Sequence, residues 1–322
     1  MKKACLAAAV LAAASVWGIA AQAQNYPAKA VRVVIGWPPG GSNDIVGRIV
    51  MQKLSEAMGQ QFVVDNRAGA AGTIGSDIVA KSPADGYTLM VHSTTHVGNA
   101  HLYKSLPYDT LKDFASVGLM TTQPGALTVH PSLPVNTTKD FVALARAKPD
   151  ALGYSSAGAG TMSHLAMELM RLRTGIKVTH LPYKGAGPAT VGLMSGEAQC
   201  SFIVMPTAQA QINAGKLRGL GVAAPTRSPV IPNVPTMAEA GVANNEAIQW
   251  NGLFAPARTP AAILDRLYRE TVKAVAMPEV KERFAAEGAD PVGSSPSEFS
   301  VFFKAEAKKW SEVATKSGTK LD

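Results

Sequence analysis

Cysteine is almost missing from this chain: of 322 residues only Cys5 and Cys200 carry a thiol. Cys5 lies close to the N-terminus without the leucine-rich approach of a lipid-attachment site, inside a leader described below. The rest of the chain has one thiol, so no intramolecular disulfide is possible and stability must come from a packed core. Cys200, in the apolar run CSFIVM, reads as a small buried hydrophobe. Aromatic residues are 6% of the total, and no dense Lys/Arg tract alternates with them, which excludes nucleic acid as a partner. The 31 basic residues outnumber the 23 acidic ones but are scattered, a balance that favours small anions. Enzyme motifs are missing as well. SSAGAG and LMSGEA are not G-x-S-x-G elbows, and no glycine loop ends in the P-loop lysine. His92 and His96 have i, i+4 spacing, but VHSTTH has no carboxylate between them as a zincin would. No catalytic residue, metal or cofactor is called for. No apolar run of membrane-spanning length follows the leader.

What is present begins with that leader. Lys2 and Lys3 precede an Ala/Leu/Val-rich run from Ala4 to Ala20, and AAQAQ closes it with small residues at Ala21 and Ala23. A basic start, a short apolar stretch and an A-x-A exit describe a secretory signal peptide over 1–23, cleaved after Ala23, so the mature protein is expected to be exported; an uncleaved membrane anchor is the bland alternative.

Beyond it, short Val/Ile/Leu-rich runs alternate with helix-length segments: VRVVIGW before SNDIVGRIVMQKLSEAMG, LGYSSAGAG before TMSHLAMELMRLRTG, CSFIVMP before TAQAQINAGK. Strand, loop and helix in repetition predict an α/β fold with mainly parallel sheets covered by helices. Gly- or Pro-rich loops follow Ile35, Val64, Val91, Tyr154, His180 and Val204. Ligands of open α/β sheets bind outside the carboxyl ends of strands, where helix N-termini also point. Six such loops in two groups predict two mainly parallel sheets facing a cleft, joined by two hinge strands near 125–130 and 245–255. The lobes expected are 24–127 plus 250–322 and 128–249.

Each loop admits a bland and a functional reading. Trp37-Pro38-Pro39-Gly40-Gly41 is either a tight strand–helix turn with a packed Trp or an anion cradle. The prolines cannot extend a ladder, the glycines permit close approach, and Ser42 or Asn43 can cap the helix. Asp44, in the first turn, complements the helix dipole rather than meeting an anion directly. NRAGAAGTIG presents amides at Ala70, Ala71, Gly72 and Thr73 with little side chain, at the wrong spacing for a dinucleotide fingerprint. Ser93 and Thr94 leave the third strand. In SSAGAGTMSH, Ser156, Gly158 and Thr161 form a hydroxyl-and-amide cradle, with Thr161 as the expected cap and His164 as a structural hydrogen-bonding residue. In HLPYKGAGP, Tyr183 offers an aromatic wall, while Lys184 is either a countercharge or a solvated loop residue.

PPGGSNDIVGR, NRAGAAGTIGSDIVAKSPADGYTL, LYKSLPYD, HLPYKGAGPA, INAGKLRGLGV, PNVPTMAEAG and WNGLFAPARTP together resemble the tripartite tricarboxylate transporter substrate-binding family, the Bug-type receptors. The match runs over nearly the whole mature chain. The resemblance implies a periplasmic two-lobe receptor of the type II Venus-flytrap class, not an enzyme. Such a receptor captures a small carboxylate and delivers it to membrane permease subunits or a sensor kinase. A monomer is expected; a stand-alone receptor and an exported carboxylate-processing enzyme are the alternatives. Carried onto this chain, the first loop corresponds to Trp37, Pro39, Gly40, Gly41, Ser42, Asn43 and Asp44. The second corresponds to Ala70, Ala71, Gly72 and Thr73, and the opposite cradle to Ser156, Gly158, Thr161 and Tyr183, with Met205 as a wall. Gly192 and Gln199 stand where many relatives have aspartates able to orient an amino group, which leans away from amino-acid ligands. A broad Trp37 and a Met205 wall suit a flat ring, and the expectation is an aromatic carboxylate such as terephthalate.

Overall fold

A computed structural model describes residues 26–318. The leader read over 1–23 lies outside the described residues. Strand β1 (Val31–Ile35) is buried apart from Arg32, as a continuous apolar run should be in a parallel sheet covered on both faces. It pairs in parallel with β2 (Phe62–Asn66) on one side and β3 (Thr88–Ser93) on the other. Helix α1 (Ser42–Met58) crosses over this sheet, and Gly47 lets it lie close: a Cβ there would come within 2.8 Å of Ile35 Cδ1. Helices α2 (Thr73–Ala80) and α3 (Thr95–Leu102) follow β2 and β3.

The long strand β4 (Phe114–Val129) joins the two halves. Its first part pairs antiparallel with β9 (Ile248–Pro256), ending at Pro124↔Ile248; from Gly125 it pairs with β7 (Cys200–Val204) and, on the other side, with β8 (Arg218–Val222). Beyond β7 lie β5 (Gly153–Ser156) and β6 (Thr179–Pro182), all three parallel. The strand order is β2-β1-β3-β9-β4-β7-β5-β6, with β8 and the short β10 (Asp290–Pro291) both pairing with β4. The two-lobe α/β architecture is as expected, with one difference. The sheets are not separate bodies bridged by connectors but one hydrogen-bonded succession running through β4, and mixed at its centre.

Second-half helices are α4 (Thr138–Ala147), α5 (Met162–Thr174), α6 (Ala186–Met194) and α7 (Met205–Asn213). Three helices, α8 (Ala261–Ala276), α9 (Pro278–Ala286) and α10 (Pro296–Ser317), follow β9 and return to the first half. Helix α10 packs on α3 and also on α5, so one apolar cluster containing Met90, Leu127, Leu165, Phe254, Phe303 and Trp310 spans both halves. Cys200 is buried in β7 with its sulfur 3.7 Å from the Gly153 carbonyl, and burial pushes the thiol pKa up.

Candidate functional site

Six helices, α1, α2, α3, α5, α6 and α7, begin where a parallel strand ends, and none has a side-chain cap on its N-terminus. Of the four described helices that start elsewhere, α4 and α10 carry full capping boxes, at Thr137/Asp140 and Ser295/Glu298, while α8 and α9, entered through Pro260 and Met277, have no side-chain cap either. The first amides of a helix have no partner within it. Six uncapped starts on the carboxyl edges of two parallel strand sets therefore concentrate amide donors and partial positive charge there.

Capping geometry differs from the sequence expectation. Gly41, not Ser42 or Asn43, is the N-cap of α1 and offers no oxygen. Ser42 instead donates its hydroxyl to Gln123 Oε1 on β4 (2.6 Å) and accepts from Asn251 Nδ2 on β9 (3.3 Å). Asn43 is buried and donates to Ser93 Oγ (3.2 Å). The Asp44 carboxylate accepts from Gly40 N–H, Arg48 Nε and Asn66 Nδ2, each at 2.9 Å. Burial pushes its pKa up, but those hydrogen bonds outweigh burial and hold it below the ordinary value. Asp44 thus ties the loop shut from inside. Asn66 also donates to the Trp37 carbonyl, locking Trp37 and the exposed Pro38, Pro39 and Gly40 onto the end of β2.

The second loop is left-handed throughout: φ is +142° at Gly69, +45° at Ala70, +53° at Ala71 and +89° at Gly72. An L-residue pays about 1–2 kcal/mol for this region, and Ala70 and Ala71 both sit in it. Successive amides in turns of this kind curve into an anion-binding nest. Gly72 is fixed by neighbours on three sides. Gly36 approaches so closely that a Cβ on it would lie 2.7 Å from Gly72 Cα; a Cβ on Gly72 would lie 2.7 Å from His92 Nε2 and 3.6 Å from Trp37 Nε1. The ring of His92 accepts the Ser93 N–H at Nδ1 (2.8 Å), and desolvation lowers its pKa to about 4. Thr94 donates to the Ile248 carbonyl (3.2 Å), at the crossing to the other half.

Asn99 on α3 was not read from the sequence and joins the two sides. Its Nδ2 donates to the Ala71 carbonyl (2.8 Å), and its Oδ1 faces Gly160, where a Cβ would be 3.2 Å away. Gly98 touches the same turn: a Cβ there would come within 2.8 Å of the Gly160 carbonyl. The only forewarning in the sequence is a polar residue after glycine in THVGNAHL. The loops at 37–44, 70–73, 93–94 and 156–161 are therefore linked, through Asn66, Asn43 and Asn99.

In the opposite cradle most donors are already committed. Ala157 N–H goes to Ser163 Oγ, Gly158 N–H to Ser156 Oγ, and Gly160 N–H to His164 Nδ1. Thr161 occupies the N-cap position but donates its hydroxyl to the Gly158 carbonyl (2.6 Å), so it neither caps α5 nor stands free for a ligand. The Tyr183 ring turns away from the strand ends. Its hydroxyl lies against Gly192 of α6, where a Cβ would overlap it, and beside Glu197. Met205 is a buried core residue, packed with Ala126, Ile203 and Ala208 rather than standing as a wall. Gln199 accepts from Gly153 N–H (2.7 Å) and donates to the Gly196 carbonyl at the entry of β7, the opposite end from the strand exits. Gly192 and Gln199 therefore say nothing about an amino group on a ligand. Lys184 is exposed.

Buried side-chain atoms without a protein partner cluster around these loops: Trp37 Nε1, Asn43 Oδ1, Asn99 Oδ1 and Asn251 Oδ1. Buried polar atoms are nearly always hydrogen-bonded to something, which makes these four the candidate ligand-contacting side-chain atoms of the site.

Against known proteins, the family model described as "Tripartite tricarboxylate transporter family receptor" matches residues 46–319. Protein BugT of Bordetella pertussis is 37% identical over 309 residues, covering 94% of each chain. Among solved structures, an R. palustris protein with adipate is 34% identical with a TM-score of 0.84, covering 92% of this chain and all of that one. MatC of Rhodopseudomonas palustris with bound malate is 30% identical with a TM-score of 0.81, over 89% and 99% of the two chains.

Proposed function

The chain belongs to the tripartite tricarboxylate transporter receptor family, and we propose that it is a periplasmic receptor for a small organic diacid. The observation that carries this is the convergence of six uncapped helix starts on the strand exits, where their open amides gather. One carboxylate lies on the open amides of Ser42 and Asn43 and on those of Ala70 and Ala71, where partial charges neutralise it without a cationic side chain; the Gly72 and Thr73 N–H groups are taken by the Gly69 and Ala70 carbonyls. The Trp37 Nε1–H, buried and unpartnered, adds a donor beside Gly72. The second carboxylate reaches the amides opening α5. The hinge lies where β4 changes partner, at Pro124–Gly125, and where β9 begins, at Ile248. Closure about it buries the ligand, and the closed form then meets a permease or a sensor.

Two solved relatives hold adipate and malate, which supports the diacid class. The narrower reading, an aromatic diacid such as terephthalate, now rests on Trp37 alone, since Met205 is in the core. Adipate and terephthalate place the same number of carbons along the path between their carboxyl groups, so one span fits both.

A thermal-shift screen of the mature protein with succinate, malate, adipate, terephthalate and benzoate tests the proposal, because a ligand bound only by the native state raises the melting point. A diacid should raise it, and Trp37→Ala should weaken that diacid by roughly tenfold with little change in unliganded stability. A screen in which no carboxylate acts while amino acids or sugars do would refute the reading.

A further inference from the structure

The second-lobe turn over 156–160 is shaped by two imidazoles that have no place in the reading above. His164 Nδ1 accepts the Gly160 N–H at 3.0 Å, on a ring that is 2% exposed. Ser156 Oγ receives the Gly158 N–H at 3.2 Å and lies 2.6 Å from His180 Nε2. Facing a backbone N–H, His164 is an acceptor toward the turn with its proton on Nε2; His180 becomes an acceptor too when its proton is on Nδ1 and Ser156 donates, the arrangement inferred below. The rings stack at 4.2 Å and 8°, and Tyr154 stacks on the outer face of His180 at 4.7 Å. Tyr154 is itself anchored, donating to Glu168 Oε1 at 2.8 Å, while Arg171 Nη1 bonds both oxygens of that carboxylate.

The turn needs this support. Gly158 and Gly160 have φ of +129° and +75°, and Gly160 must lie flat against Gly98 and Asn99 of the first lobe. Without an acceptor at His164, the Gly160 N–H would be buried and unsatisfied, and the turn would have to reopen. The helix start it precedes, the first turn of α5, is where the second carboxylate lies in the proposed function, on which this inference rests.

We infer that His164 and His180 are positioning residues for ligand capture: as neutral acceptors they hold the 156–160 turn in the one shape that leaves the α5 amides open and seats Gly160 on α3. They touch the turn, not the ligand.

The test pairs isosteric losses with rescues on the full mature chain. His164→Phe and His180→Phe keep a stacked ring but remove the acceptor. His164→Asn restores an oxygen near the Nδ1 position and His180→Gln one near Nε2. Calorimetric titration with succinate, malate, adipate and terephthalate should show the Phe variants about tenfold or more weaker for whichever diacid binds. The Asn and Gln variants should stay within about threefold of wild type on the same scale. Ring-nitrogen NMR of the unliganded wild-type protein should show the two predicted tautomers, a signature that packing alone does not fix. Phe variants with wild-type affinity overturn the inference and leave the diacid function standing. If wild type binds none of the acids, the function fails. The inference is then decided by the tautomers and by amide exchange at Gly160, which should accelerate in His164→Phe. The reversed tautomers, or unchanged exchange, overturn it.

Discussion

Five histidines, His92, His96, His101, His164 and His180, have pKa values lowered by burial, to about 4 for His92 and about 3 for His180. Desolvation is the largest cause in each, and for His180 the neighbouring His164 and Arg171 add to it. Above pH 6.5 these rings are neutral in folded and unfolded chains alike, so they give no pH dependence there. As the pH falls below 6.5 the unfolded chain binds protons that the folded one refuses, and stability drops. The decline stops for His92 near pH 4 and for His180 near pH 3, where the folded rings themselves protonate. Each such histidine contributes a slope of about 1.4 kcal/mol per pH unit at most. The urea midpoint should therefore fall steadily from pH 6.5 to 4, and His92→Gln should flatten part of that fall. A midpoint independent of pH would mean the folded protein accepts these protons.

Among the elements, α1 gives the most direct test of the proposed use of an uncapped helix start. Its N-cap, Gly41, sits at φ −84° and ψ 165°, which any residue adopts, and nothing but the Pro38 carbonyl approaches its Cβ position, at 3.9 Å. Glycine is therefore not required there by backbone geometry or by space. Gly41→Asp should cap the helix and stabilise the protein by about 0.3–1 kcal/mol. The same carboxylate should compete for the amides proposed to hold the ligand, weakening diacid binding by tenfold or more on the affinity scale. Gly41→Asn caps without charge and should cost less affinity. Denaturant titration and calorimetry on the three proteins separate the two effects; an Asp variant that is more stable and binds as wild type would remove these amides from the site.

For the molecule as a whole, the seam between the halves is built of glycine against glycine, Gly98 on Gly160, beside an apolar cluster shared through α3, α5 and α10. Gly98→Ala would place a methyl group 2.8 Å from the Gly160 carbonyl, which is backbone and cannot swing aside. In a helix interior the same change raises helix propensity by about 1 kcal/mol. If seating Gly160 on α3 accompanies capture, diacid affinity should fall roughly tenfold while stability falls little or rises. Calorimetry with small-angle scattering, liganded and unliganded, reads both. Unchanged affinity would make the seam a fixed contact unrelated to closure.

The amino-acid sequence by itself determined the alternation of strands and helices, the Gly-rich exits and the family. These depend on local periodicity and on motifs whose order survives in one dimension. It also suggested crossings at long extended runs such as PGALTVH and AIQWNGLFAPA, which stand out from βα units. Only the tertiary structure decided what the site side chains do. Asp44, Thr161, Tyr183 and Met205 look available in sequence, yet each is engaged by its surroundings: Arg48 and Asn66, the Gly158 carbonyl, Gly192, and the second-lobe core. Asn99 and the His164–His180 pair went the other way, from unremarked or merely structural residues to the links that hold the loops. Hydrogen-bond allegiance depends on which groups meet across long sequence separations, and no local pattern encodes that. Capping went the same way: Ser42, Asn43 and Thr161 read locally as caps, and only their partners in the fold, Gln123, Ser93 and the Gly158 carbonyl, left those helix starts open.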